Sequence, residues 1–218
     1  MAIAHVVWDW NGTLLDDVDA CVTALNDILR SKGLCPVTSD QYRRSFRFPV
    51  YDFYVELGMT FGPGEWDRLS DDFHRLYREY AADKPLRQGA KEGLQALKER
   101  GVAMSILSVS ETGLLRHMVD QRGIGHFFQH VIGKDDFAAD SKVEAAQQLA
   151  ALMDGLPPDS VMLVGDTRHD SDVARELGWQ CILLGGGHQA DDRLEHIGGR
   201  IVRDISSAVR IIMDDLSA

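Results

Sequence analysis

The stretch that decides the fold is HVVWDWNGTLLDD, residues 5–17, in which a short apolar run ends at Asp9. Similar short apolar runs recur along the chain, and the five of them cover residues 3–8, 102–107, 130–132, 161–164 and 181–184. Runs this short, without polar alternation, are typical of strands that are buried on both faces of a parallel sheet. We therefore predict a parallel β-sheet, with the run at 130–132 as its weakest strand.

Segments with helical periodicity lie between these runs, at 89–100, 141–153, 170–178 and 205–216. In the first of them, Leu94 and Leu97 fall on one face, and Gly101 follows as a stop signal. Strands that alternate with helices predict an α/β fold with a doubly wound parallel sheet.

Residues 16–85 break this alternation because they contain no convincing strand. Amphipathic stretches at 18–32 and 65–82 indicate helices instead, and Pro85 lies near the return to the sheet. We predict a small all-helical cap domain at 16–85, inserted after the first strand of a core domain formed by residues 1–15 and 86–218.

Composition argues against several classes of partner. The 218-residue chain has a net charge of −11 and a pI near 5.1, and no basic stripe is visible in it. Nucleic acids and anionic membranes attract clustered Lys and Arg, so we expect neither as a partner. Three scattered cysteines, no signal peptide and no apolar run of ~20 residues predict a cytoplasmic protein with reduced thiols. We expect a monomer or a homodimer.

Polar residues follow the predicted strands at the end where open parallel sheets bind ligands. Asp9 follows the first strand and Ser108 the second. Asp166 and Asp170 follow the fourth strand, and Lys142 opens a helix after the third. We expect these five side chains to face one crevice.

Three carboxylates that converge in one crevice repel one another unless a cation lies among them. Asp9, Asp166 and Asp170 offer hard oxygen ligands, for which Mg²⁺ with retained waters is the natural choice. The sequence therefore predicts a magnesium site formed by these three residues.

The same crevice suits a phosphoryl group. Ser108 and Lys142 add a hydroxyl donor and a positive charge, which together with Mg²⁺ favour a tetrahedral phosphoryl ligand. Gly12 and Thr13 allow a tight turn whose N–H groups can approach phosphate oxygens. With the phosphate neutralised, Asp9 can act as a nucleophile and form an aspartyl-phosphate, which water then hydrolyses.

Four segments resemble, in order, the four motifs of the haloacid dehalogenase superfamily: DWNGTLLDD at 9–17, SILS at 105–108, Lys142, and GDTRHDSDVA at 165–174. The resemblance implies a Rossmann-like α/β core of that superfamily. The helical insert looks like the cap of its phosphoglycolate phosphatase and β-phosphoglucomutase branch.

The resemblance also implies roles for individual residues. It implies Asp9 as the nucleophile, Ser108 and Lys142 as phosphate-binding residues, and Asp166 and Asp170 as metal-binding residues. In the same way, it implies that the backbone carbonyl of Asn11 is a metal ligand, a role that an asparagine fills as well as an aspartate.

Asn11 departs from the family pattern. Phosphatases and mutases of the family have an aspartate there, which protonates the leaving oxygen and then deprotonates the attacking water. An amide exchanges no proton at useful pH, and loss of a positioned acid or base costs ~10²–10⁴-fold in rate. A phosphatase with this residue acts slowly, acts on an ester whose leaving group needs little protonation, or uses another group as the acid/base, for which Asp16, His169 and His188 are the candidates.

Asn11 also bears on the type of reaction. A mutase needs the acid/base in both half-reactions, so Asn11 counts against a mutase. A haloacid dehalogenase has no use for the full set of Mg²⁺ ligands, so that set counts against a dehalogenase. A phosphonatase-like hydrolase needs a cap lysine that forms a Schiff base. The cap lysines are Lys32 and Lys84, near its ends, and the middle of the cap offers Arg43, Arg44 and Arg47, which cannot form the imine.

We therefore predict a Mg²⁺-dependent phosphatase that hydrolyses a small phosphorylated metabolite, with phosphoglycolate-like acids suggested by the resemblance alone. Arg43 and Arg47 are candidate substrate contacts in the cap. The alternative is a phosphate-ligand-binding protein with little or no turnover, in which Asn11 has removed catalysis but not binding. A phosphonatase-like hydrolase is the less favoured alternative.

Overall fold

The structure, a computed structural model, describes residues 2–134, 142–153, 155–197 and 199–216. Within these ranges, six strands follow one another along the chain: β1 (His5–Trp8), β2 (Ala103–Glu111), β3 (His130–Lys134), β4 (Val161–Gly165), β5 (Gln180–Leu184) and β6 (Arg200–Val202). The α-helices of these ranges are α1 (Val18–Ser31), α2 (Ser39–Ser45), α3 (Val50–Glu56), α4 (Glu65–Ala81), α5 (Ala90–Glu99), α6 (Thr112–Gln121), α7 (Lys142–Leu152), α8 (Arg168–Leu177), α9 (Asp191–Glu195) and α10 (Ile205–Leu216).

The strands form one parallel sheet in the order β3-β2-β1-β4-β5-β6. β1 lies at its centre, where Val7 pairs with Ser105 on one side and Leu163 on the other. The predicted doubly wound parallel sheet is confirmed. β6 was missed because it is three residues long and begins with an exposed arginine, Arg200.

Alternate residues of the buried strands feed two hydrophobic cores, one on each face of the sheet. Val6 and Trp8 belong to a large core that also receives α5, α6 and α10. Val7, between them in sequence, belongs to a smaller core formed with α7 and α8. Because successive side chains of a strand point to opposite faces, both faces of β1 must be apolar. This explains the unbroken apolar run before Asp9.

The chain leaves the sheet after β1, forms α1 to α4, and returns beside its point of departure. The N–H of Asp16 donates to the carbonyl of Pro85 (3.0 Å), and the N–H of Arg87 donates to the carbonyl of Leu14 (2.9 Å). Leu15 and Leu86 form an isolated antiparallel bridge at the same place. The two connections between the sheet and the helical insert therefore run side by side, and the predicted bounds of a separate cap domain stay a prediction.

The predicted helices at 18–32 and 65–82 correspond to α1 and α4. α2 and α3 escaped prediction because each has only seven residues, too few for a clear amphipathic repeat. Among the described residues, no helix combines the length and the apolar character needed to cross a membrane.

Candidate active site

Three aspartates meet at the carboxyl end of the sheet. Asp9 directly follows β1, and its N–H donates to the carbonyl of Val164 in β4 (2.8 Å). Asp166 directly follows β4, and Asp170 lies in the first turn of α8. All three are buried, and each offers a carboxylate oxygen within 4.8 Å of the other two. The structure thus brings together the three carboxylates that the sequence predicts to converge.

Lys142, the first residue of α7, lies between two of these carboxylates. Its Nζ donates to Asp170 Oδ1 (2.6 Å) and to Asp9 Oδ1, and the side chain is buried. Burial opposes the charge of Lys142, but the carboxylates of Asp170 and Asp9 outweigh it and raise the pKa of the ammonium. The side chain is therefore protonated at neutral pH.

A single ammonium does not balance three buried carboxylates. Burial and the carboxylates of Asp170 and Asp166 outweigh the opposing effect of Lys142, and together they raise the pKa of Asp9 to about 8. A divalent cation bound by the same oxygens would favour the ionised carboxylates, and oxygen ligands of this kind suit Mg²⁺. The donor set therefore fits a hard divalent cation held by Asp9, Asp166 and Asp170.

Glycines let the backbone approach Asp166 from two sides. A Cβ at Gly12, whose φ is 69°, would collide with the Asp166 carboxylate and lie 2.6 Å from the His188 ring; a Cβ at Gly187 would also collide with Asp166. The hydroxyl of Thr13 donates to Asp166 Oδ1 (3.1 Å), and the N–H of His188 donates to Oδ2 (2.5 Å). These contacts hold the Asp166 carboxylate in place.

The side-chain amide of Asn11 is engaged on both sides. Its Nδ2 donates to Asp17 Oδ2 (2.8 Å) and to the hydroxyl oxygen of Tyr77 (2.6 Å). Its Oδ1 accepts from the hydroxyls of Ser110 (3.0 Å) and Ser108 (3.3 Å). A carboxylate at position 11 would face the carboxylate of Asp17 and repel it. An amide therefore fits this position because Asp17 is its neighbour.

Asp17 is the centre of a second buried cluster. Its Oδ1 accepts from the N–H of Gly12 (2.7 Å) and lies 3.3 Å from His188 Nε2, and its Oδ2 accepts from the hydroxyl of Tyr77 (2.7 Å). Burial opposes the charge of Asp17, but His188 and the hydrogen bonds from Asn11 and Tyr77 outweigh it and lower the pKa of Asp17. Burial also opposes the charge of His188, but Asp17 outweighs it and raises the pKa of His188 to about 9. The two side chains therefore form an ion pair at neutral pH.

Two tyrosines join this cluster to the helical insert. Tyr77 comes from α4, and Tyr42, from α2, places its hydroxyl 2.9 Å from His188 Nδ1. Both rings are buried. Buried polar contacts therefore set the position of the insert over the carboxyl end of the sheet.

A cavity of about 340 Å³ lies between the insert and the sheet. We call the insert side of this cavity the roof, and its aromatic residues are Tyr42, Phe46, Phe48, Tyr51, Phe53, Tyr54, Trp66, Phe73 and Tyr77. We call the polar group on the sheet side the floor, which consists of Asp9, Asn11, Lys142, Asp166 and Asp170. Ligand sites in proteins typically have volumes of ~300–1,000 Å³, so the cavity is large enough for a small organic molecule.

Of the three candidates for the missing acid/base, two line the cavity. His188 lines it, but its ring nitrogens contact Asp17 and Tyr42. His169 lines it with its ring centroid 4.5 Å from that of Phe48. Asp16 is exposed and does not line the cavity. Asp16 is therefore not placed to act as the acid/base in place of an aspartate at position 11. The imidazole of His188 does line the cavity, but both of its nitrogens already contact other side chains.

The predicted phosphate contacts Ser108, Gly12 and Thr13 do not line the cavity. Ser108 is fully buried and directs its hydroxyl to Asn11, whereas Ser110, two residues further along β2, lines the cavity. The N–H of Gly12 and the hydroxyl of Thr13 are used by carboxylates of the protein itself. In the structure these three residues bind groups of the protein itself, and their predicted contact with phosphate stays a prediction.

Arg43 and Arg47, the candidate substrate contacts, also lie outside the cavity lining. Arg43 donates to the carbonyl of Gly186 (3.3 Å), and Arg47 forms an ion pair with Glu56. Both side chains therefore bind the protein itself, and the sequence could not show this because it does not give their direction.

Sequence reasoning missed three residues of the site: Asp17, Tyr77 and Ser110. Asp17 was visible as the second acidic residue of LLDD, but its contact with Asn11 depends on how the chain turns. Ser110 was missed because the strand was predicted to end at residue 107, whereas β2 continues to Glu111. Tyr77 lies 66 residues from Asn11, and no local pattern marks it.

The chain matches a family model described as haloacid dehalogenase-like hydrolase over residues 6–184. It is 27% identical over 189 residues to a phosphoglycolate phosphatase of Pseudomonas fluorescens, an alignment that covers 84% of this chain and 70% of that protein. Phosphoglycolate phosphatase 1 of Pseudomonas aeruginosa is 25% identical over 191 residues, with the same coverage.

Solved structures share the fold at lower identity. A haloacid dehalogenase-like family hydrolase of Streptococcus pneumoniae superposes with a TM-score of 0.76 at 22% identity, covering 96% of this chain and 98% of that one. A HAD family hydrolase of Deinococcus radiodurans, solved with bound phosphate and sodium, gives a TM-score of 0.71 at 18% identity and covers 98% and 96% of the two chains.

Proposed function

This chain belongs to the haloacid dehalogenase-like hydrolases, and we propose that it is a Mg²⁺-dependent phosphatase that hydrolyses a small phosphorylated metabolite in the cytoplasm. The observation that carries the proposal is the floor, where Lys142 binds Asp9 and Asp170 beside Asp166 under a covered cavity. Phosphatases among the relatives support the same reaction class.

Asp9 is the proposed nucleophile. One of its carboxylate oxygens attacks phosphorus, the P–O bond to the leaving group breaks, and an aspartyl-phosphate forms. Lys142, which already contacts Asp9, places a positive charge where the phosphoryl oxygens carry negative charge. The hydroxyl of Ser110 lines the cavity and can turn from Asn11 to a phosphoryl oxygen.

Water completes the reaction. It attacks the phosphorus of the aspartyl-phosphate, the bond from phosphorus to the Asp9 oxygen breaks, and the proton of the water ends on inorganic phosphate. Asn11 is the residue next to this step, and its amide orients groups by hydrogen bonds without exchanging a proton. The second step is therefore expected to be slow compared with that of an enzyme with a carboxylate at this position.

The proposed ligands of Mg²⁺ are the carboxylates of Asp9, Asp166 and Asp170 and the backbone carbonyl of Asn11. When bound, the ion neutralises phosphoryl charge and orients the phosphoryl group for in-line attack. Cap closure over the floor excludes water from the reacting atoms.

The substrate is less constrained than the reaction. The Pseudomonas relatives are named phosphoglycolate phosphatases, which supports a small phosphorylated acid. A phosphonatase-like reaction gains no support, because Lys32 and Lys84 do not line the cavity and Lys84 Nζ binds Asp19 (2.6 Å) at the surface. Phosphoglycolate stays a prediction and is a reference substrate in the tests below.

The proposal is tested with p-nitrophenyl phosphate, whose leaving group hardly needs a proton. We expect phosphate release with Mg²⁺, loss of release after chelation with EDTA, and no release from Asp9→Asn. Turnover that survives Asp9→Asn contradicts the aspartyl-phosphate. If the wild type binds phosphate but releases none from any ester, the alternative hypothesis holds, in which the chain is a phosphate-ligand-binding protein with little or no turnover.

A further inference from the structure

We propose that the substrate is the phosphate monoester of an aromatic hydroxyl, so that the leaving group is a phenol-like oxygen. This inference rests on the proposed phosphatase function and adds the chemical class of the substrate. Two independent observations carry it. The first is the lining of the cavity away from the floor, and the second is the amide at position 11.

Aromatic rings form the larger part of the roof, which also includes Cys21, Leu25, Pro49, Val50, Ser70 and His74. Nine aromatic side chains line the cavity, and Leu25, Val109 and Leu114 add further apolar surface. Several of the rings pack edge to face, such as Tyr51 on Trp66, with centroids 5.2 Å apart. Apolar and aromatic linings bind apolar ligands, and ring pairs at such distances add ~0.5–1.5 kcal/mol beyond the buried area. A two-carbon acid would leave most of this surface without a partner.

Lysine and arginine contribute little to the lining, whose other basic side chains are those of His74, His169 and His188. Among the described residues that line the cavity, Lys142 is the single lysine or arginine, and it already binds Asp9 and Asp170. Glu111 adds a further carboxylate to the lining. His188 is also engaged, by Asp17. Once phosphate occupies the floor, the lining offers no unengaged arginine or lysine that would pair with a second anionic group.

The amide of Asn11 selects for a good leaving group. Breaking the P–O bond of an alkyl ester leaves an alkoxide, whose conjugate acid is about as weak as water, with a pKa near ~16. A phenolate is the conjugate base of an acid with a pKa of ~10 and departs without a proton. Because Asn11 cannot donate that proton, an aryl ester is the substrate for which its presence costs least. The aromatic roof and the amide thus point to the same class of molecule.

The chemistry balances without a general acid. Asp9 attacks phosphorus, the aryl P–O bond breaks, and its electron pair leaves on the phenolate oxygen, which takes a proton from solvent. Water then releases Asp9 as described above, so that the sum is aryl phosphate plus water giving phenol and inorganic phosphate.

Three esters separate recognition of the ring from leaving-group chemistry. Phenyl phosphate has a ring and a good leaving group, benzyl phosphate has a ring and an alkoxide leaving group, and ethyl phosphate has neither advantage. We expect kcat/KM to fall in this order, with phenyl phosphate at least ~100-fold above benzyl phosphate. Phosphoglycolate is expected to fall with ethyl phosphate or below it.

Two sets of variants assign these differences to their causes. Trp66→Leu and Phe73→Leu remove rings from the roof. Each is expected to lower kcat/KM for phenyl and benzyl phosphate by about 3- to 10-fold, whereas kcat/KM for ethyl phosphate should stay within about twofold of the wild-type value. Phe61→Leu is the matched control, since Phe61 packs on Trp66 but does not line the cavity. Asn11→Asp combined with Asp17→Asn restores an acid and is expected to bring benzyl phosphate to within about tenfold of phenyl phosphate.

The outcomes distinguish the two proposals. If no ester releases phosphate with Mg²⁺, the proposed phosphatase function fails and this inference fails with it. If esters are hydrolysed but phosphoglycolate or ethyl phosphate matches phenyl phosphate, the inference alone is overturned. The inference is also overturned if both roof variants lose activity on all esters to the same extent while their circular dichroism spectra match that of the wild type.

Discussion

The floor and the roof of the cavity use opposite chemistry to enclose one space. The floor holds three buried carboxylates and one ammonium, each at the carboxyl end of a strand or the start of a helix. The roof consists largely of aromatic rings, several of them on helices of only seven residues. The ends of the strands and the helices that follow them fix the positions of the charged groups in the floor. The short helices of the insert supply an aromatic surface whose shape decides which substrate the cavity can bind. The comparison suggests that the floor sets the reaction and that the roof sets the substrate.

The largest effect is expected from removing the positive charge of the floor. Lys142→Met leaves Asp9 and Asp170 buried without their partner, so the free energy of unfolding should fall by ~3–5 kcal/mol in EDTA, and phosphatase activity should be lost. Urea denaturation and phosphate release measure the two effects. Lys91→Met is the control, because Lys91 is exposed on α5 and should change stability by less than ~0.5 kcal/mol.

Equal free energies of unfolding for the Lys142 and Lys91 variants would contradict the proposed difference between floor and roof. This result would mean that the carboxylates of the floor are neutral when Lys142 is absent, so that charge does not distinguish the floor from the roof.

The next effect concerns the pair formed by Asn11 and Asp17. Asn11→Asp replaces an N–H donor to Asp17 by a carboxyl group, and we expect a loss of stability of about 2–3 kcal/mol. The loss should grow as pH rises, because the new carboxyl can donate to Asp17 only while it is protonated. Adding Asp17→Asn reverses donor and acceptor and should recover part of the loss.

A double-mutant cycle over these two positions measures their coupling, expected at ~0.5–3 kcal/mol for groups in contact. Strictly additive effects of the two substitutions would show that Asp17 is not the reason for the amide at position 11.

The sequence predicted much of the floor and little of the roof, and the reason is physical. Asp9, Asp166 and Asp170 follow strands, and the ends of parallel strands meet, so their order in the chain predicts their convergence. Lys142 was predicted in the same way. The aromatic residues of the roof lie on α2, α3 and α4 and, for Phe46 and Phe48, between α2 and α3, and their packing depends on contacts between distant segments. Their presence was visible, but whether a ring faces the cavity, another helix or solvent was not.

Arg43 and Ser108 illustrate the same limit at the level of single side chains. Both have the right chemistry for phosphate or for an acidic substrate; Arg43 lies within the predicted cap, and Ser108 directly follows a predicted strand. Arg43 turns to the carbonyl of Gly186, and Ser108 turns to Asn11. Position along a chain predicts the place of a residue in the fold but not the direction of its side chain.

The smallest effect concerns the hydroxyl that joins floor and roof. Tyr77→Phe keeps the ring in the roof but removes the hydroxyl that donates to Asp17 and accepts from Asn11. We expect the free energy of unfolding to fall by about 1.5 kcal/mol, because the lost hydrogen bond involves a buried charge. Tyr80→Phe on the same helix is the matched control, since its hydroxyl binds Asp27 near the surface (2.6 Å) and should contribute less than ~0.5 kcal/mol.

The kinetics of the same two variants then separate the placement of the insert over Asp9 from the selection of the substrate by the roof. Tyr77→Phe leaves the apolar wall of the cavity intact, so the ratio of kcat/KM for phenyl phosphate to that for ethyl phosphate should stay within about twofold of the wild-type ratio. The absolute rates should fall for both esters, because the cap is held less firmly over Asp9. A change in the ratio would show that the hydroxyl itself takes part in substrate selection, and that floor and roof do not act separately.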